Sequence, residues 1–90
     1  EALIDGLKAL SDPTRLRILH TLHQGATTPS CLARHLRLRP PTVIHHLNLL
    51  RLVGLVQVIL SPTGEKRYAL RQGVVDEIFE QLKRVIGTEK

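Results

Sequence analysis

The sequence predicts a mainly α fold with a β-hairpin wing, a winged helix-turn-helix, on three observations. Proline follows a capping residue at successive points. Apolar residues between those points recur at the three- and four-residue spacing of a helix. That pattern breaks once, over residues 55–71, into alternation around a glycine-containing turn, before helical spacing returns.

Each element has its own signal. Leu3, Leu7 and Leu10 predict a first helix over 2–10. Asp12 before Pro13 opens a second over 13–24, carried by Leu16, Ile18, Leu19 and Leu22 and stopped by Gly25. Proline suits that first position, because the N–H it lacks has no partner there in any case. Thr28 before Pro29 opens a short third helix over 29–37 with Leu32, Ala33 and Leu36 inside. Pro40-Pro41 opens a fourth over 41–53, with Val43, Leu47 and Leu50 on one face and Gly54 as its stop, although Arg39 is a poor cap. Leu55–Leu60 is rich in β-branched residues, with Val58 and Leu60 on one face. Ser61 to Glu65 makes the turn, and Tyr68 and Leu70 alternate with charges after it. Val74, Val75, Ile78, Phe79, Leu82, Val85 and Ile86 then trace a broad stripe on a last helix over 74–86.

Ninety residues make one domain, residues 1–90, near the lower size limit for a single core. Tyr68 and Phe79 are its only aromatic residues of the Phe, Trp and Tyr types, so the core is aliphatic. Such a core suits packed helices better than a ligand cavity. A lone cysteine, Cys31, makes no internal disulfide, no signal peptide is visible, and no run approaches a membrane span; the expected location is cytoplasmic, with no membrane partner. The net charge of +5 is unevenly placed. Residues 13–72 carry nine Lys or Arg against Glu65 alone, whereas 1–12 and 73–90 are mildly acidic. A polyanion would be drawn to the middle, leaving the ends for other contacts.

The third and fourth helices carry the functional constellation. Ala33 is the small residue where they cross, Leu38 fills the turn, and Val43 anchors the second helix of the pair, giving a helix-turn-helix over about 29–53. A larger residue at Ala33 would force the helices apart, and a polar one at Leu38 or Val43 would be buried unpaired. The hairpin over about 55–71, with Glu65, Lys66 and Arg67 at its loop, has the character of a wing. His45, Asn48 and Arg51 share a helix face with Pro41 and Ile44, opposite Val43, Leu47 and Leu50. That face reads either as a DNA surface or as an ordinary solvated one, and the hairpin and charge placement favour DNA.

With these elements in order, the sequence resembles the ArsR-type winged-helix regulators. The resemblance rests on Ala9 to Leu19 (ALSDPTRLRIL), Pro41-Thr-Val43 with His46-Leu47, Leu49 to Arg51, Gly54 to Val56, and Tyr68-x-Leu70, and runs over about 5–87. It implies a homodimer on a palindromic operator, read by the fourth helix and joined through the first and last helices. Two departures stand out. Arg39, Pro40 and Pro41, then Thr42 and Ile44, occupy places usually polar in the family; Pro40 and Ile44 offer no side-chain hydrogen bond to a base, though Ile44 suits a thymine methyl. The metal motifs are also missing. Thr28 and Ser30 stand where a Cys-x-Cys is needed, with Cys31 one place off; in the last helix Asp76 is present, but Ile78 replaces the His. No metal and no cofactor are therefore expected, and the effector is unknown.

The resulting expectation is a sequence-specific regulator of transcription, a repressor by preference, binding a double-stranded DNA operator as a homodimer. Arg39, Thr42, Ile44, His45 and Asn48 are assigned to the major groove, and Arg34, Arg37, Arg51, Lys66 and Arg67 to phosphates. Leu3, Leu7, Val75, Ile78, Phe79, Leu82 and Val85 are assigned to the dimer seam. The rival is a winged-helix protein-interaction module of a longer chain, with weak or no DNA binding. An enzyme is not expected, since no nucleophile–base pair, carboxylate pair or phosphate-cradling glycine loop is present. Of the remaining residues, His46 reads as a hydrogen-bonded packing residue; Arg15 and Arg17 read as structural or phosphate-reaching or, by preference, as solvated and nonspecific. His20, His23 and His35 read as chance neighbours rather than ligands, and Cys31 as a small buried hydrophobe rather than a redox sensor.

Overall fold

Capping chemistry and proline set the frame of the computed structural model, which describes residues 1–88. Helix α1 (Ala2–Leu10) buries Leu3, Gly6 and Ala9 along one face. Helix α2 (Pro13–Gln24) begins where the Asp12 carboxylate accepts the Arg15 backbone N–H at 2.9 Å. Helix α3 (Pro29–Leu36) begins where the Thr28 hydroxyl accepts the Cys31 N–H at 3.2 Å. Both are the expected N-caps.

The helix-turn-helix is tighter than its sequence suggests. Helix α3 stops at Leu36 because Arg37 turns left-handed (φ 55, ψ 46) and donates its N–H to the Ala33 and Arg34 carbonyls. Leu38 N–H closes the same turn on the Ala33 carbonyl at 2.9 Å. Helix α4 (Pro40–Leu52) then starts one residue earlier than expected, since the φ of Pro40 already suits a first helical position. Val43, Leu47 and Leu50 are fully buried and meet Ile18, Leu32 and Leu55. The small Ala33 lets α3 and α4 approach, being only 5% exposed itself.

Strands β1 (Val56–Leu60) and β2 (Lys66–Leu70) pair antiparallel, from Val56 with Leu70 to Leu60 with Lys66. Gly64 (φ 85) allows the turn, and the Ser61 N–H donates to the Glu65 carbonyl at 2.9 Å. Sequence reading missed one contact. Thr27, in the link between α2 and α3, forms a bridge with Tyr68, with N–H to carbonyl bonds of 3.1 and 2.7 Å in the two directions. The wing is thereby tied to the helical body on its β2 side. A single residue in a short link carries no alternation that could have announced this pairing.

Helix α5 (Gln72–Ile86) starts two residues earlier than expected and packs against α1. Ile78 lies over Gly6, where an added Cβ would come within 2.8 Å of the Ile78 δ-methyl. The far end of α5 stands off the body, with Lys83 to Thr88 all exposed. The radius of gyration of 14.0 Å accordingly exceeds the roughly 12 Å of a rounded chain this long.

Candidate nucleic-acid interface

Helix α4 divides its residues cleanly. While Val43, Leu47 and Leu50 face the core, Thr42, Ile44, His45, Asn48 and Arg51 are exposed together on the outer side. Ile44 is 44% exposed, an apolar group standing among polar ones. Arg39 precedes the helix in an extended conformation and is exposed, with no side-chain cap bond. Pro40 and Pro41 remove two backbone donors from this helix N-terminus, so an anion there has to be met by side chains. Arg34 and Arg37 supply them: they line one shallow groove with Ser30 and Pro40 between α3 and α4. Asn48 and Arg51 line another groove farther along α4, with Leu52.

On the wing, Lys66 and Arg67 are exposed. The Arg67 Nε donates to a Glu65 carboxylate oxygen at 2.9 Å, and its Nη1 reaches the Ala26 carbonyl at 3.5 Å. The pair is about half exposed on both sides, so little energy holds it against exchange for a phosphate. Ile59 (43%) and Leu60 (65%) are also exposed on the wing. Val58, read on one face with Leu60, is half-buried, so the cover on that face ends before Leu60.

Arg15 and Arg17, read by preference as solvated, both bond backbone carbonyls, Arg17 while still exposed and Arg15 half-buried. Arg17 Nη2 donates to the Leu36 carbonyl at 3.2 Å, at the C-terminus of α3. Arg15 bonds the Ala9 and Lys8 carbonyls and His46, which is half-buried as a hydrogen-bonded packing residue. Burial holds the His46 imidazole below its ordinary pKa, with Arg15 and His45 adding to that and Asp12 opposing it.

The residues expected at a dimer seam on the terminal helices differ in how far the single chain itself buries them. Leu3 and Ile78 are each 6% exposed within a single chain, because α1 and α5 already close on each other at Gly6. They belong to the core of the single chain. Leu7, Val75 and Leu82 are half-buried against that core. Phe79 (49%) and Val85 (72%) remain exposed, as do Ile4 (45%) and Ile86 (61%), which the sequence reading had left out of the seam. The stripe on α5 is thus partly buried and partly exposed, and spacing alone cannot divide it.

Residues 12–58, just over half of the chain, match the family described as bacterial regulatory protein, arsR family. The chain belongs to the ArsR family. It is 40% identical over 79 residues to the HTH-type transcriptional regulator CmtR of Mycobacterium tuberculosis, a match covering 88% of this chain and 66% of CmtR. The chain therefore spans just under two thirds of that relative's length. An ArsR-like transcriptional regulator from Rhodococcus sp. RHA1 superposes with a TM-score of 0.88 at 30% identity, covering 97% of this chain and 79% of that one. The homodimeric winged helix-turn-helix DNA-binding domain Mb0332 (fragment 1-100) of Mycobacterium bovis superposes with a TM-score of 0.75 at 26% identity, covering 98% and 80%.

In this ArsR-family chain the third-helix metal positions do not fit a metal. Thr28 caps α3 with the hydroxyl that would have to be a thiolate. Among the described residues no three of His, Cys, Asp and Glu come together as a metal-binding group. His20 and His35 line one groove, and His35 and Cys31 a neighbouring one. Cys31 is exposed, not the buried hydrophobe expected. Hydrogen bonds from the Thr28 and Thr27 hydroxyls and from Arg34, whose Nη2 lies 3.6 Å from Sγ, hold its thiol below the usual range. Among the described residues no helix is long and apolar enough to cross a membrane.

Proposed function

We propose that this chain is a cytoplasmic transcriptional regulator that binds a double-stranded DNA operator as a homodimer and represses by occupying it. The observation that carries the reading is the two-sided character of α4. A fully buried face holds the helix rigid, and the opposite face presents Thr42, Ile44, His45 and Asn48, with Arg39 just ahead of the helix. Arg34, Arg37, Arg51, Lys66 and Arg67 surround that face with cations suited to phosphates. Asn48 suits adenine and Ile44 a thymine methyl, so an A·T-containing half-site fits the face. Phe79, Val85, Ile4 and Ile86 supply an apolar seam for a second copy, with half-sites about one helical turn apart.

Selection of bound duplex from a random pool tests the reading. A two-fold symmetric motif should emerge, with affinity falling steeply as salt rises. Lys66→Ala should weaken all sequences alike and lower the salt slope by about 1, whereas Asn48→Ala should change the preferred base. No duplex binding at low salt would sink the proposal and favour a protein-interaction module.

A further inference from the structure

Arg15 lies outside both the DNA face and the seam, yet all three of its guanidinium nitrogens are engaged. Nε donates to the Ala9 carbonyl at 2.7 Å and Nη2 to the Lys8 carbonyl at 3.2 Å. Both carbonyls lie in the last turn of α1, where helical N–H partners run out. Nη1 reaches Nδ1 of His46 at 3.3 Å, and His46 sits on the inner edge of α4, next to the fully buried Leu47. The base of Arg15 is also fixed, since its backbone N–H is the one Asp12 caps. One planar fork, rooted in α2, joins the end of α1 to the helix that presents the DNA face.

We infer that Arg15 is a positioning residue: through His46 it holds α4 at a set angle to α1, and protonation of His46 releases the hold. The inference rests on the DNA-binding dimer proposed above, because α1 borders the seam and α4 carries the reading face. Two reading helices that drift relative to the seam lose the spacing an operator demands, while contacts to phosphates at large tolerate the drift.

The contact sets its own chemical condition. Guanidinium has donors and no acceptor, so Nδ1 has to offer a lone pair. His46 is then neutral, with its proton on Nε2. Acid would put an imidazolium 3.3 Å from the guanidinium, with a donor facing a donor. The charged groups acting on His46 are Arg15 and His45, which oppose protonation, and Asp12 on the cap of α2, which favours it. Asp5 and Lys8 of α1 line a groove together with Arg15.

The test compares affinity for the selected operator with affinity for random duplex, between about pH 5.5 and 8, where imidazole titrates. Arg15→Lys keeps the charge but cannot span three acceptors in a fixed fork. It should lower operator affinity about tenfold, the loss of one charged hydrogen bond, and leave random-duplex affinity unchanged. In the wild type the operator-to-random ratio should fall severalfold on acidification. His46→Gln, whose amide oxygen accepts without titrating, should give a ratio that stays level. A wild-type ratio in Arg15→Lys, or an acid-sensitive ratio persisting in His46→Gln, overturns the inference. Should Arg15→Lys fail to fold, the His46→Gln comparison decides alone. If the wild type binds no duplex at low salt, the DNA reading fails. The hold is then read from amide shifts of Thr42 to Asn48 as His46 titrates: movement absent in His46→Gln supports it, and no movement overturns it.

Discussion

Replacing Phe79 and Ile78, adjacent residues on α5, by aspartate separates the proposed seam from the core. Phe79 is 49% exposed in one chain, which leaves about 100 Å² of a roughly 200 Å² side chain for a partner to cover. At about 25 cal/mol per Å² that is ~2.5 kcal/mol per protomer, and ~5 kcal/mol over the two copies a two-fold axis brings together. Phe79→Asp should therefore weaken the dimer by between roughly three and four orders of magnitude while each chain stays folded. Ile78→Asp should behave differently. Ile78 is 6% exposed and seated on Gly6, so the carboxylate would be buried between α1 and α5. Losing the isoleucine and desolvating the charge together cost several kcal/mol, comparable with the whole stability of a domain this small. Light scattering and circular dichroism at micromolar concentration give the two readouts. Phe79→Asp should scatter as a helical particle of 10.1 kDa, half the wild-type mass, and Ile78→Asp should lose its helical signal. A Phe79→Asp protein that stayed dimeric would place the seam elsewhere. A folded monomer from Ile78→Asp would refute the assignment of that residue to the subunit core.

Two further outcomes follow from single contacts. Thr27→Pro removes the N–H that donates to the Tyr68 carbonyl at 3.1 Å, so it should lower stability by about 1–3 kcal/mol and speed amide exchange in β2 relative to α4, as hydrogen exchange would show; equal exchange in both proteins would mean the bridge does not hold the wing. Cys31 should be alkylated by iodoacetamide with a pH midpoint below the ordinary thiol value, because its neighbours' hydrogen bonds stabilise the thiolate, and Thr28→Val should move the midpoint up; a midpoint identical in both would exclude the Thr28 hydroxyl as the cause.

Much of this molecule was legible in the sequence because local chemistry decides it. Asp12-Pro13 and Thr28-Pro29 carry their own start signals, so α2 and α3 begin where expected. The buried face of α4 follows from apolar residues at helical spacing, which also places His45 and Asn48 on the opposite side whatever else the chain does. The absent metal motifs were likewise local: Thr28 stands at its position whichever way the helix packs, and it caps the helix instead.

What the sequence determined by itself is therefore the order of elements, the face of α4 that looks outward, and the placement of positive charge in the middle of the chain. Each depends on neighbours within a turn or two of helix, where spacing and charge act directly. Only the tertiary structure decided which apolar residues of α1 and α5 are spent inside the subunit and which stay outside. A helical stripe shows that a side is apolar, not how wide the neighbouring helix is. That width is set here by Gly6, whose missing side chain lets Ile78 sink to 6% exposure while Phe79 stays at 49%. Tertiary structure also decided the work of Arg15, Arg17 and Thr27. Their partners His46, Leu36 and Tyr68 lie 31, 19 and 41 residues along the chain, beyond the reach of any local pattern.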